Sequence, residues 1–258
     1  MSDVSMFSLE GKTMIVTGAS KGIGKAISIE SARAGADLVI GSRTMADLEL
    51  VATEIRDMGR QCHCITVDVA SVSSINEFVD QAIAATGGID ILVNNAGYNK
   101  ITPILDVSEE EYDYIIDVNL KSVFFGCKAI VKHMIERGQG GRIVNISSQV
   151  GVVGGPLRSA YTAAKGGVCT LTKSMAAEWA EHGITVNCLA PAIETLRDAS
   201  GVATDGGAAR TLTGAALGRS GDVRTDIAPA GAIIYLASEA GTMVTGHTLL
   251  VDGGYTVV

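Results

Sequence analysis

The chain has 258 residues, 47% of them hydrophobic and 19% charged, with 20 basic against 28 acidic side chains and a net charge of −8. That balance argues against general affinity for nucleic acid or an anionic membrane, and no apolar run approaches the roughly 18 residues of a membrane span. Five cysteines, with no C-x-x-C pair and no secretory leader ahead of them, suit a reduced cytoplasmic chain without a metal centre.

Thr13–Thr17 is a short apolar run ending in glycines, and Ile23, Ala26, Ile27 and Ala34 follow at helical spacing. The stretch Thr17-Gly18-Ala19-Ser20-Lys21-Gly22-Ile23-Gly24 thus leads from a strand into a helix. In that context backbone N–H groups and the positive helix end face a phosphate, which makes Gly18, Ser20, Lys21, Gly22, Ile23 and Gly24 candidates for holding a dinucleotide. A nucleotide-triphosphate loop is excluded, because Gly24-Lys25 is followed by Ala26 and offers no magnesium-binding hydroxyl. Alone, the same glycines would also suit a plain tight turn.

A second strand is predicted at Asp37–Ile40. Where an acid would favour NAD(H), Ser42 and Arg43 follow instead, and with Lys21 they suit a 2′-phosphate, so NADP(H) is preferred over NAD(H). Met45–Met58 carries Leu48, Val51, Ala52 and Ile55 on one helical face, and Cys62–Val67 reads as a strand. Cys62-His63-Cys64 lacks the ligand number and spacing of a structural zinc site. Ser74-Ile75-Asn76-Glu77 predicts a capping box for a helix through Ala85. After a strand at Ile89–Val93, Ser108 with Glu111 predicts the start of one long helix to about Arg137. Strand Arg142–Ile146, helix Tyr161–Glu181, strand Thr185–Leu189, helix Asp226–Leu236 and strand Thr248–Val251 complete the series.

Continuous apolar strands alternating with amphipathic helices predict an α/β fold. We read residues 1–258 as a single doubly wound (Rossmann-type) domain, an about seven-stranded parallel sheet with helices on both faces. Ligands then belong beyond the carboxyl ends of the strands. Nineteen of the 30 residues in Ala192–Gly221 are Gly, Ala, Ser or Thr, which predicts a flexible substrate lid over about 192–221.

Tyr161 and Lys165 stand four apart at the start of a predicted helix and so share a face. A phenol with a pKa of about 10 needs a nearby cation to shuttle protons near neutrality. Ser148, just beyond the strand Arg142–Ile146, has a hydroxyl that can bond a carbonyl oxygen. Out of context such a Tyr–Lys pair is more often surface packing.

In order along the chain, from about Leu9 to the C-terminus, the glycine loop, Asp68-Val69, Asn94-Asn95-Ala96-Gly97, Asn119, Ser148…Tyr161-x-x-x-Lys165 and Val251-Asp252-Gly253-Gly254 resemble the short-chain dehydrogenase/reductase family. The resemblance implies an enzyme that transfers hydride between NADP(H) and a ketone or secondary alcohol. Tyr161 would be the general acid/base, Ser148 would polarise the carbonyl, and Lys165 would hold the nicotinamide ribose and lower the Tyr161 pKa. Asn119 would support a water-mediated proton relay. Asp68 and Val69 would bracket the adenine, while Asn95, Ala96, Gly97, Pro191, Ile193 and Thr195 would line the cofactor cleft. Pro191-Ala192 stands where the family usually has Pro-Gly, and alanine resists the positive φ that glycine allows.

Substrate contacts are expected from Tyr98, Lys100, Gln149 and Arg158, the two cations suiting an anionic group. Val118–Phe125 and Ala177–Ala180 resemble the branch acting on sugar acids such as gluconates, implying a keto-sugar acid or polyol. A 3-oxoacyl-(acyl carrier protein) reductase carries the same catalytic set, and a catalytically idle NADP(H)-binding sensor or scaffold is the reading from another class. The family resemblance also implies a homotetramer paired through its long helices, with no nucleic-acid or membrane partner.

Overall fold

Each predicted apolar run becomes a strand of one all-parallel sheet: β1 (Thr13–Thr17), β2 (Asp37–Ser42), β3 (Cys62–Thr66), β4 (Ile91–Asn94), β5 (Gly141–Ile146), β6 (Ile184–Pro191) and β7 (Thr248–Val251). The computed structural model describes residues 5–192 and 223–257, apart from the side chains of 223–226. The strand order is β3-β2-β1-β4-β5-β6-β7, so the winding direction reverses between β1 and β4. At such a switch point the loops after adjacent strands diverge and leave a crevice for a ligand.

Both faces of the sheet are covered, which is why consecutive residues Met14, Ile15 and Val16 are all fully buried. Helices α1 (Gly22–Arg33), α2 (Met45–Asp57) and α7 (Val223–Ala237) cover one face, where Met14, Val16, Ile27, Leu48 and Ile233 pack together. On the other face lie α3 (Val72–Thr86), α5 (Ser122–Arg137) and α6 (Ser159–Trp179), around Ile15, Phe78, Ile130, Val168 and Met175.

Three local expectations are corrected. Helix α3 begins a turn earlier than the capping box at Ser74 predicts: Ser71 is the N-cap, its side chain accepting from the Ser74 backbone N–H at 3.3 Å. The strand at Ile89 starts only at Ile91, because the Ile89 N–H donates to His133 Nε2 and its carbonyl accepts from Arg137 Nη1, both from α5. The single helix expected to run to Arg137 is interrupted. Helix α4 (Glu109–Ile116), capped by Ser108, passes into a π-helical turn at Asp117–Lys121 before α5 begins.

Of the lid expected over 192–221, only Ala192 belongs to the described residues; 193–221, including Ile193 and Thr195, lie outside them. Ala192 is buried and donates to the Val251 carbonyl at 3.2 Å. Among described non-glycine residues only Leu157 has a positive φ, so the Pro191-Ala192 corner turns without the left-handed geometry a glycine would permit. No described helix is long and apolar enough to cross a membrane.

Candidate active site

The glycine loop closes against the end of β4 by backbone approach. A Cβ on Gly18 would stand 2.8 Å from Ala96 Cα, and one on Gly24 would stand 2.3 Å from the Gly18 carbonyl oxygen. Asn95 ties the two segments together, its Nδ2 donating to the Thr17 carbonyl at 2.8 Å and the Gly18 carbonyl at 3.2 Å. Thr17 Oγ1 in turn accepts from the N–H groups of Asn95 and Ala96, each at 3.1 Å. Composition and motif give no hint of this role for Thr17.

Here the switch point opens into a cavity of about 450 Å³. The glycine loop contributes Gly18, Ser20, Lys21, Ile23 and Gly24, while Gly22 stays off its surface with φ +54° at the helix start. Ser42 and Arg43 line the cavity from the end of β2, and Asp68 and Val69 from the segment after β3. Asn95, Ala96, Gly97 and Tyr98 line it from beyond β4, Ser148, Tyr161 and Lys165 from β5 and α6, and Pro191 from β6. Lys100, Gln149 and Arg158 are not among the lining residues. Tyr114 is, although no motif singles it out: its ring meets that of Tyr98 edge-on at 5.1 Å, and Arg43 Nη1 reaches its hydroxyl at 3.4 Å.

The π-helical turn positions Asn119. Fully buried, Asn119 donates through Nδ2 to the carbonyls of Tyr98 at 2.6 Å and Ile115 at 2.9 Å, and accepts from the Tyr98 N–H at 3.2 Å. Its side chain thereby takes the Ile115 carbonyl, the residue one α-helical turn back, and pins the backbone that follows Asn95-Ala96-Gly97. Such turns recur at functional sites because they re-aim a side chain without ending the helix. A Cβ on Gly97 would lie 3.1 Å from Asn119 Oδ1 and 3.7 Å from Lys165 Nζ, so a side chain here would press on Asn119.

Ser147 and Ser148 divide the labour at the end of β5. Ser147 Oγ donates to the Lys165 carbonyl at 2.8 Å and accepts from Cys169 Sγ at 3.3 Å, so it anchors α6. Ser148 faces the cavity, and its hydroxyl, when turned to Tyr161 rather than to Gln149, holds the phenol pKa down. Burial acts more strongly in the other direction and raises the Tyr161 pKa overall, with the Arg158 charge again lowering it. Lys165 is buried, its Nζ 5.6 Å from the Tyr161 ring centroid and donating to the Ile146 carbonyl at 2.8 Å. Desolvation brings its pKa down from 10.5 to about 8, partly offset by Cys188 and Cys169, which leaves an ammonium at neutral pH. Lys165, expected from the sequence as the cation acting on Tyr161, has its ammonium 5.6 Å from that ring centroid, and Ser148 and Arg158 are further groups that lower the phenol pKa.

The loop between Ser148 and α6 is strained. Leu157 has φ +60°, a region that a bulky side chain disfavours, and its carbonyl accepts from the Thr102 N–H at 2.9 Å. Lys100 pairs with Glu111 at 2.5 Å, and Glu111 also accepts from Thr102 Oγ1 at 2.6 Å. Its ammonium is therefore matched by a carboxylate on α4.

The residues present fit a dinucleotide: a cradle at a helix N-terminus where Gly18 and Gly24 allow close backbone approach, one cation in that loop (Lys21) and one at the end of β2 (Arg43), and a cleft leading to Ser148 and Tyr161. Comparison with known proteins agrees. Residues 12–199 match the family model for short chain dehydrogenases. The 2-dehydro-3-deoxy-D-gluconate 5-dehydrogenase of Escherichia coli (strain K12) is 39% identical over 253 residues, 98% of each chain. A 3-oxoacyl-acyl-carrier-protein reductase of Staphylococcus aureus is 37% identical over 246 residues, 94% of this chain and 97% of the relative. A solved structure from Beutenbergia cavernae, provisionally designated an NAD(P) dependent gluconate 5-dehydrogenase and holding NADP at low occupancy, superposes with a TM-score of 0.89. It shares 36% identity over 98% of this chain and all of that one.

Proposed function

The chain belongs to the short-chain dehydrogenase/reductase family, and from that premise we propose that it uses NADP(H) in preference to NAD(H) to interconvert a ketone and a secondary alcohol, with a keto-sugar acid or polyol as substrate. The observation that carries this reading is that Ser148, Tyr161 and Lys165 line one cavity, the buried Lys165 with its Nζ 5.6 Å from the Tyr161 ring centroid.

In this reading the glycine loop and the N-terminus of α1 hold the pyrophosphate, and Lys21 and Arg43 bind the 2′-phosphate. Asp68 and Val69 flank the adenine, and Tyr161 and Lys165 meet the nicotinamide ribose. The bound dinucleotide supplies or accepts the hydride at the substrate carbon. As negative charge grows on the carbonyl oxygen, Ser148 donates a hydrogen bond to it and Tyr161 passes it a proton; in alcohol oxidation Tyr161 takes the proton back. Burial keeps Tyr161 protonated at neutral pH, the state required of the acid in reduction. General acid–base assistance is worth about 10²–10⁴-fold and an oriented donor at the oxyanion about 10²–10³-fold.

Substrate class draws on the gluconate-type relatives and on Arg158, whose charge reaches Tyr161; Lys100, matched by Glu111, contributes less. The 37% identity to a 3-oxoacyl-acyl-carrier-protein reductase favours a second reading, reduction of an acyl thioester. We take the enzyme as a cytoplasmic homotetramer, in which Phe124, 44% exposed beside Phe125, contributes apolar contact. Steady-state NADPH oxidation against keto-sugar acids, neutral ketones and 3-oxoacyl thioesters tests the proposal. Highest kcat/KM for a keto-sugar acid is expected; preference for the thioester would select the second reading. Turnover of none of them, with NADPH still bound, would leave only the catalytically idle binding protein.

A further inference from the structure

Ser148 has one hydroxyl proton to give, and in this structure it gives it to its neighbour. Ser148 Oγ donates to Gln149 Oε1 at 2.6 Å, and both side chains are buried, with Gln149 only 4% exposed. Gln149 opens a short 3₁₀ turn, its backbone carbonyl accepting from the N–H groups of Val152 and Val153, which fixes the side chain against Ser148.

Reduction as proposed above needs the same proton on the carbonyl oxygen of the substrate. Turning the Ser148 hydroxyl toward that oxygen takes away the hydrogen bond Gln149 Oε1 receives in this structure. A buried acceptor stranded in this way is penalised, and the penalty falls on every substrate that brings only a carbonyl. It vanishes for a substrate that carries its own O–H donor next to the carbonyl. The two oxygens of an α-hydroxy ketone lie about one O–H···O hydrogen-bond length apart, as do Ser148 Oγ and Gln149 Oε1 at 2.6 Å. Gln149 stands behind Ser148 and outside the cavity lining in this structure, so the adjacent hydroxyl has to pass the Ser148 side chain to donate to Gln149 while Ser148 bonds the carbonyl oxygen.

We propose that Gln149 is a specificity-determining residue that reads a hydroxyl on the carbon next to the reacting carbonyl, so that the favoured substrates are α-hydroxy ketones. The inference rests on the carbonyl-reductase reading of the site and adds to it the shape of the reacting group.

The test compares hydroxyacetone with butan-2-one, in which a methyl replaces the hydroxyl, in the wild type and in Gln149→Leu, with NADPH affinity as the check on folding. Intrinsic reactivity cancels in the ratio of kcat/KM values between the two proteins. That ratio is expected to fall by about 10–100-fold in the variant, the range for leaving one buried hydrogen-bonding group without its partner. A ratio that stays put, or a parallel fall for both ketones, overturns the proposal. Should Gln149→Leu fail to fold, methoxyacetone replaces it as the probe. It keeps the oxygen but not the donor, and the wild type is expected to disfavour it about tenfold or more against hydroxyacetone; equal kcat/KM overturns the proposal. A wild type that reduces neither ketone nor any keto-sugar acid removes the carbonyl-reductase reading and this inference with it. Turnover with an unaltered ratio removes only the role of Gln149.

Discussion

The two halves of the cavity are built by opposite means. The half after β1 and β4 is made of backbone: Gly18 and Gly24 leave no room for a Cβ, and Asn95 and Thr17 clamp main-chain groups. The half after β5 is made of buried polar side chains, with Ser147, Ser148 and Lys165, backed by Gln149, all under a tenth exposed and each bonded to another member or to nearby backbone. A ligand phosphate needs fixed N–H donors at close range, which only bare backbone supplies. A proton transfer needs side chains whose pKa values and bonds can be set individually.

If that division is right, the halves fail differently. In the backbone-built half, Gly24→Ala forces a methyl against the Gly18 carbonyl and Asn95 Nδ2, at 2.3 and 2.5 Å. NADPH affinity measured by fluorescence titration is expected to fall by two decades or more, about 3 kcal/mol; wild-type affinity would show that the close approach is dispensable. In the side-chain-built half, burial lowers the Lys165 pKa from 10.5 to about 8. Between those values the unfolded chain holds a proton that the native protein has released, so this residue makes stability rise with pH. Urea unfolding from pH 8 to 10.5 is expected to show a gain of about 3 kcal/mol in the wild type relative to Lys165→Met. Identical pH profiles would mean that Lys165 is not desolvated. The smallest effect belongs to the exposed rim of the first half: the double substitution of Lys21 and Arg43 by Ala should lower the NADPH-over-NADH preference in kcat/KM by about tenfold. An unchanged preference would remove the 2′-phosphate assignment.

The same division explains what could be read from the chain. The parallel sheet, the glycine loop, Asn94-Asn95-Ala96-Gly97 and the Tyr161–Lys165 pair are legible because strands covered on both faces read as continuous apolar runs, backbone approach demands glycine and helical pairing demands a fixed spacing. The π-helical turn is not, since Asp117–Lys121 is as good an α-helical sequence as its flanks; what diverts it is Asn119 taking the Ile115 carbonyl, a bond coupled to the distant Tyr98 backbone. Ser71 outcompetes Ser74 as the cap of α3 because Ser74 Oγ is engaged by the Asp68 N–H at 3.0 Å. Lys100 reads as a substrate cation until Glu111, eleven residues on, is seen to match it. Gln149 and Ser148 are neighbours in sequence, yet their bond depends on a 3₁₀ turn that no local pattern announces.

Tyr161→Phe is the most direct test of the account, assayed by NADPH titration and NADPH oxidation on the same preparation. Removing one hydroxyl from the buried phenol is predicted to cut kcat by about 10³-fold while NADPH affinity stays close to wild type. Near-full turnover in that variant would contradict proton transfer through Tyr161.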